Sequence, residues 1–329
     1  MMRDATPLVE ALRDPQSVAN FSPSQWTELI AMARAEALAG TLAYRLKEQQ
    51  MPDGIAAILA DHRTGAEQGK RTALWEAEMC RRALAPLGII TILLKGTAYA
   101  AADLPASQGR QIGDLDILVP RARLADAEKA LLGAGWEWVK EDAYDDAYYR
   151  QWMHELPPLI HTDRDRMIDV HHTVLPLTAR ITPDADAMIA DTIEIAGGYF
   201  ILSPEDRMCH AVAHMFADGD MQGGLRNLWD IWCLQPDCAV ESLKGRAEQH
   251  GLSAEVARAL RLADAFYGTR EIEQLSGMDA LIARRLLARN GWGQETRKVE
   301  RLGFYVRSHW LRMPPMMLAR HLLTKWRKA

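Results

Sequence analysis

The chain has 329 residues, of which 48% are hydrophobic and 25% charged, with a formal net charge of -5 and a pI of about 6.1. That composition describes a globular chain rather than a disordered one, long enough for two ordinary domains or one domain with a large helical extension. The mild acidity argues against nucleic acid as the main partner, and no run approaches the roughly 18 uninterrupted apolar residues of a membrane span.

No apolar segment follows Met1-Met2-Arg3-Asp4, so no secretory leader is expected and a cytoplasmic location is. Cys80, Cys209, Cys233 and Cys238 form no CxxC pair, and reduced thiols are the expectation. Residues 1–87 read as a helical region. Ser22 or Ser24 caps a helix carrying Trp26, Leu29, Ile30 and Met32. Leu38, Leu42 and Leu46 then share a face at helical spacing, and residues 55–84 read as one long helix.

The pattern changes over residues 88–202. Ile89-Ile90-Thr91-Ile92-Leu93-Leu94 is a β-branched run bounded by glycines and predicts a buried strand. A helix start over Thr97–Ala102 and a Pro- and Gly-containing loop over 103–113 lead to a second strand, Asp114–Val119, stopped by Pro120. A helix over 121–132, a strand at Trp136–Val139 and strands near Leu159–His161 and Met167–His172 follow, the last two joined by the polar turn Thr162–Asp165. From Ser203 the chain returns to helices, beginning with a Ser cap and Pro204 at the first helical position. Helices are predicted over 222–234, 239–250, 253–267, 279–289, 296–310 and 315–327. The expected class is α+β: a small mixed sheet over 88–202, flanked by helices over 1–87 and an all-helical region over 203–329.

Asp114 and Asp116 carry the chemistry. At i and i+2 on a strand they point to one face, among Ile112, Leu115, Ile117, Leu118 and Val119. Two unpaired carboxylates in a buried strand repel each other and lose hydration. A divalent cation removes both objections, and oxygen donors suit Mg²⁺ or Mn²⁺. Asp169, an acid interrupting another apolar run, supplies a third ligand, and three carboxylates can hold two ions roughly 3.5–4 Å apart. Taken alone, Asp169 reads equally well as a strand-end acid paired with Arg or His. Spacing by itself is weak: Asp163-Arg164-Asp165 repeats it in a polar turn, and Asp184-Ala185-Asp186 follows a Pro and caps a helix; neither receives a role. Lys95, Gly96-Thr97 at a strand-to-helix turn, Arg110 and Gly113 are candidate phosphate contacts. Lys95 reads at least as well as a solvated lysine at the strand end; Arg110 can reach the triphosphate or pair with an acid, and reads about as well as a solvated loop arginine.

Leu93-Leu94-Lys95-Gly96-Thr97, Arg110, Gly113-Asp114-Leu115-Asp116-Ile117-Leu118-Val119 and Ile168-Asp169-Val170-His171 together form a pattern. It resembles the uncharacterised bacterial nucleotidyltransferase family of the polymerase-beta-like superfamily. His210, His214 and Leu228-Trp229-Asp230-Ile231 look similar too. The resemblance covers roughly residues 85–235. It implies a two-metal transfer of a nucleoside monophosphate from a nucleoside triphosphate, ATP by expectation, to an acceptor hydroxyl. Asp114, Asp116 and Asp169 would be the metal ligands, and Lys95, Gly96, Thr97, Arg110 and Gly113 the nucleotide contacts. Gly96-Thr97 stands where the superfamily has Gly-Ser, and the stretch from Thr97 to Asp114 is longer than its norm. Such families neighbour genes for surface polysaccharides or modified peptides, which implies a protein, peptide or sugar-linked acceptor. The alternative is a non-catalytic module that senses nucleotide or binds a partner.

Other signals rank lower. His210 and His214 share a helical face at a spacing zinc can use, with His161, His171 and His172 as further candidates, but an apolar helix favours structural histidines. His214 or Asp230 lining the nucleotide cleft is a weaker alternative. No Walker A, GxGxxG or GxSxG sequence is present. Residues 297–329 hold nine Lys/Arg and one acid, Glu300, interleaved with Trp310, Leu318, Leu322, Leu323 and Trp326. A terminal helix docking its apolar face on the domain is the favoured reading, with an anionic membrane surface as the alternative.

Overall fold

A computed structural model describes residues 2–140 and 142–319. Seven strands build one mixed sheet: β1 (Ile92–Leu93), β2 (Leu115–Leu118), β3 (Trp136–Trp138), β4 (Leu159–His161), β5 (Met167–His171), β6 (Ile193–Ile195) and β7 (Tyr199–Ile201). Their order is β3-β4-β5-β2-β1-β7-β6. β2 runs parallel to β5 and β1 parallel to β7, while β1–β2, β3–β4, β4–β5 and β6–β7 are antiparallel. The α+β class and the mixed sheet are as the sequence predicts.

Where boundaries shift, pairing explains it. The apolar run Ile89–Leu94 contributes only two ladder residues, because β1 lies between β2 and the three-residue β7. Bonds from Phe200 N–H to Thr91 O (3.0 Å) and from Leu94 N–H to Asp116 O (3.0 Å) extend it at each end. The hairpin β6–β7 is absent from the sequence reading. Its turn residues Gly197 and Gly198 have φ of 86° and 73°, the left-handed backbone that a Gly-Gly pair supplies. A helix at Ala143–Trp152 also escapes that reading; the Asp142 side chain accepts from the Tyr144 and Asp145 N–H groups and starts it.

Around the sheet, Ser22 and Gln25 close a reciprocal capping box that starts helix Pro23–Ala35. Helix Asp53–Leu84 buries Leu59, Ala66, Ala73, Ala77, Cys80 and Leu84, one stripe at coiled-coil-like spacing, and packs on helices Ala39–Arg45 and Lys95–Ala101. Behind the sheet, helices Pro204–Ala213, Gly224–Leu234 and Ser253–Tyr267 pack on one another. One cluster of buried apolar residues runs from Ala5 to Phe304, through both helical regions and the sheet. No described helix is long and apolar enough to cross a membrane.

Helix Lys298–Arg312 turns Phe304 and Ser308 inward, yet Val299, Leu302, Val306 and Trp310 stay exposed. The apolar stripe on this helix therefore faces outward. The helix predicted over 315–327 is described only to Ala319; Leu322, Leu323 and Trp326 lie outside the described residues. Phe304→Ala should lower stability by about 3 kcal/mol, whereas Leu302→Lys should stay within about 0.5 kcal/mol. Urea unfolding of both variants checks this orientation; a larger loss for Leu302→Lys would show that its face is covered.

Candidate active site

Parallel pairing of β2 with β5 sets Leu115 opposite Ile168, Asp116 opposite Asp169 and Ile117 opposite Val170. Two acids from segments fifty residues apart are thus side-by-side neighbours on one face of the sheet. Asp114 joins them from just before β2, and one carboxylate oxygen from each of the three lies within 4.8 Å of the others. Asp116 is buried, Asp169 half-buried and Asp114 exposed, so the cluster forms a ramp from core to solvent.

Each carboxylate meets a different environment. Lys95 Nζ donates to Asp116 Oδ1 at 2.7 Å, and His171 Nε2 lies 3.0 Å from the same oxygen. Burial alone would raise the Asp116 pKa; the Lys95 charge and the His171 contact outweigh it and hold the carboxyl far below its usual range. Asp169 has no such cation. Burial first, then the Asp116 charge, pushes it up to about 6, and its buried Oδ1 has no hydrogen-bond partner among the described residues. An unsatisfied carboxylate oxygen beside two further acids fits a divalent cation well.

Lys95 begins helix Lys95–Ala101 with φ of 46°, a left-handed conformation that costs a lysine roughly 1–2 kcal/mol. Gly96 follows against Arg110: a Cβ there would lie 2.7 Å from Arg110 Nε and 3.3 Å from Ile112 Cγ1. Arg110 itself ion-pairs with Asp230, while Arg226 holds the other oxygen of Asp230 at 2.6 Å and donates to Thr41 Oγ1 at 2.6 Å. The structure therefore turns Arg110 toward an acid of the helical region, one of the two roles open to it. Thr97 is buried, and its Oγ1 lacks a partner among the described residues. Gly113 is open, with nothing within 4 Å of where a Cβ would stand. Asp163 and Asp165 are exposed in their turn, and Asp184 and Asp186 are exposed at the start of helix Ala185–Ala190, which Asp184 caps by accepting from the Ala187 N–H at 2.9 Å.

Two site residues, His154 and Glu155, receive no weight from sequence alone. Glu155 Oε2 lies 3.5 Å from both His154 Nε2 and His171 Nε2. His171 stands in the motif after Asp169 and among the zinc-ligand candidates, whereas His154-Glu155 sits in an irregular stretch with no periodicity to mark it. Burial pushes the Glu155 carboxyl up to about 7, and burial keeps His154 and His210 well below the ordinary histidine range. His161 packs edge-on against Trp136 at 5.0 Å and accepts from the Asp163 N–H, which is a structural role.

A mixed sheet with three converging carboxylates on adjacent strands defines a class: α+β proteins whose acidic cluster can bind a divalent cation. The chain belongs to the family described as uncharacterised nucleotidyltransferases, whose family model matches residues 22–268. Nucleotidyl transfer is accordingly its general function, and a nucleoside triphosphate its substrate class. No curated protein matches the chain.

Asp169 carries a testable signature. Its folded pKa of about 6 exceeds the ordinary 3.8, so the folded state binds more protons and loses stability as pH rises through that interval. Asp169→Asn removes this penalty. In chelator it should gain roughly 2 kcal/mol at pH 8, and the gain should vanish below about pH 4. Denaturant titrations at several pH values would show it.

Proposed function

We propose that this protein transfers a nucleoside monophosphate from a nucleoside triphosphate, ATP first, to an acceptor hydroxyl of a protein, peptide or sugar-linked molecule. The acceptor oxygen attacks the α-phosphorus, the bond to the bridging oxygen breaks, and pyrophosphate leaves. Asp114, Asp116 and Asp169 would hold two Mg²⁺ or Mn²⁺ ions, which would supply charge stabilisation for the triphosphate and the attacking oxygen. Asp169, beside the site of the attacking oxygen, would help take the proton of the acceptor hydroxyl. Lys95 adds positive charge beside the phosphates, and Gly96 and Gly113 let the backbone approach them. Thr97 and Arg110 complete the turn, with Arg110 supporting Gly96 from behind.

The single observation behind this reading is the opposition of Asp116 and Asp169 across a parallel ladder, with Asp114 beside them. The second reading is nucleotide sensing without transfer. It draws on the engagement of Arg110 with Asp230 and the burial of Thr97, which leave fewer polar groups to grip a triphosphate.

The test is a titration of ATP, GTP, CTP and UTP with Mg²⁺ on wild type and on the Asp114→Ala, Asp116→Ala double variant. Metal-dependent binding of one triphosphate, lost in the variant, is expected. With that donor and a cell extract as acceptor source, the exposed-site variant Asp114→Asn should release pyrophosphate roughly 10³-fold more slowly. Binding without pyrophosphate release in any extract would favour the sensing module, and unchanged release by Asp114→Asn would overturn the metal assignment.

A further inference from the structure

A second donor cluster adjoins the carboxylates and differs from them in chemistry. We propose that His154, Glu155 and His171 form a three-donor binding site for one zinc-type cation that pins the active-site wall. The proposal stands apart from the nucleotidyl-transfer reading and uses donors that reading leaves idle.

Backbone pairing builds the cluster. The segment carrying His154 and Glu155 lies antiparallel to the end of β5, with Glu155 bridged to His171. Leu156 N–H donates to Val170 O at 3.0 Å and His172 N–H to His154 O at 2.9 Å. These bonds hold the donor-bearing chain on both sides, so the site is preformed rather than gathered from loops. Ligand atoms of His154, Glu155 and His171 all lie within 4.8 Å of one another. The two separations from Glu155 Oε2 to imidazole nitrogen are 3.5 Å, and His171 Nε2 to Asp116 Oδ1 is 3.0 Å. Donors about 2.0–2.1 Å from a tetrahedral ion stand roughly 3.3 Å apart, close to the 3.5 Å that separates Glu155 Oε2 from each imidazole.

Charge argues the same way. Glu155 is largely buried, and its ion-pair partners among the described residues are two imidazoles, with no lysine or arginine in contact. A buried carboxylate flanked only by histidines is poorly compensated, and a divalent cation satisfies all three groups at once. Nitrogen donors select against Mg²⁺ and for zinc-type ions, whereas the all-oxygen set of Asp114, Asp116 and Asp169 does the reverse. His171 Nε2 lies 3.0 Å from Asp116 Oδ1, so the two sets adjoin.

Burial decides the role. His154 and His171 are 9% and 2% exposed, which leaves no open position for a reacting water. A buried ion without an open position is structural, so it would clamp residues 154–156 to β5 without entering the chemistry. Nδ1 of each histidine is buried without a partner among the described residues. Neither ring has the outer hydrogen bond that usually strengthens such ligands, so the affinity should be nearer micromolar than nanomolar.

The experiment uses the full chain, stripped with chelator and titrated with Zn²⁺ alone against a chromogenic competitor, then with Co²⁺ to record the visible bands of a tetrahedral ion. Wild type should take up one Zn²⁺. Glu155→Gln, close to isosteric, and His154→Ala should each weaken uptake at least 100-fold, while Asp114→Asn, outside this donor set, should keep it. Far-UV circular dichroism checks folding; if His154→Ala fails to fold, Glu155→Gln decides. Absent uptake by wild type at 100-fold above micromolar would overturn the site. So would equal uptake by folded Glu155→Gln, or loss in Asp114→Asn, which would place the ion among the three aspartates instead.

Discussion

The one-to-one parallel register of β2 and β5 is the constraint on which the rest depends. A slip of one residue would turn Asp169 to the opposite face and set Ile168 or Val170 against Asp116. Apolar neighbours fix that register, since Leu115, Ile117, Ile168 and Val170 must all reach the core. The same packing that drives the sheet together therefore aligns the acids. Burying Asp116 is then affordable only because Lys95 and His171 sit against it.

Around this point the protein accepts local costs. Lys95 keeps a left-handed backbone, Asp169 and Glu155 are held as unusually weak acids, and Thr97 and Asp169 leave buried polar atoms without partners among the described residues. Elsewhere local chemistry agrees with the fold, from the Ser22 capping box to the stripe of helix Asp53–Leu84. Left-handed residues and unpartnered buried atoms occur elsewhere too, as at Ala37, Met221, Glu76 and Arg285, but here they coincide with the acidic cluster. The ion pairs of Asp230 with Arg110 and Arg226 tie this place to the helical region, so the helices brace the turn at Gly96 as well as flank it.

Much of this was legible in residue order. The composition, the helical periodicities, the capped start at Ser203 and the apolar runs broken by Asp114, Asp116 and Asp169 are local signals, and each reports its own element. The shared face of Asp114 and Asp116 follows from strand geometry alone. The Gly197-Gly198 turn was equally local and was passed over, because the strands it joins are only three residues long and alternate weakly.

What the sequence by itself determined was most of the helices and strands, the helix Ala143–Trp152 and the hairpin at Gly197-Gly198 excepted, and which acids interrupt buried strands. Tertiary structure alone decided that Asp169 faces Asp116, that Arg110 turns to Asp230, and that His154 and Glu155 reach the site at all. Those outcomes depend on pairing between residues 16 to 120 positions apart. Hydrophobic periodicity describes which face of an element is buried, but carries no information on which other element will cover it.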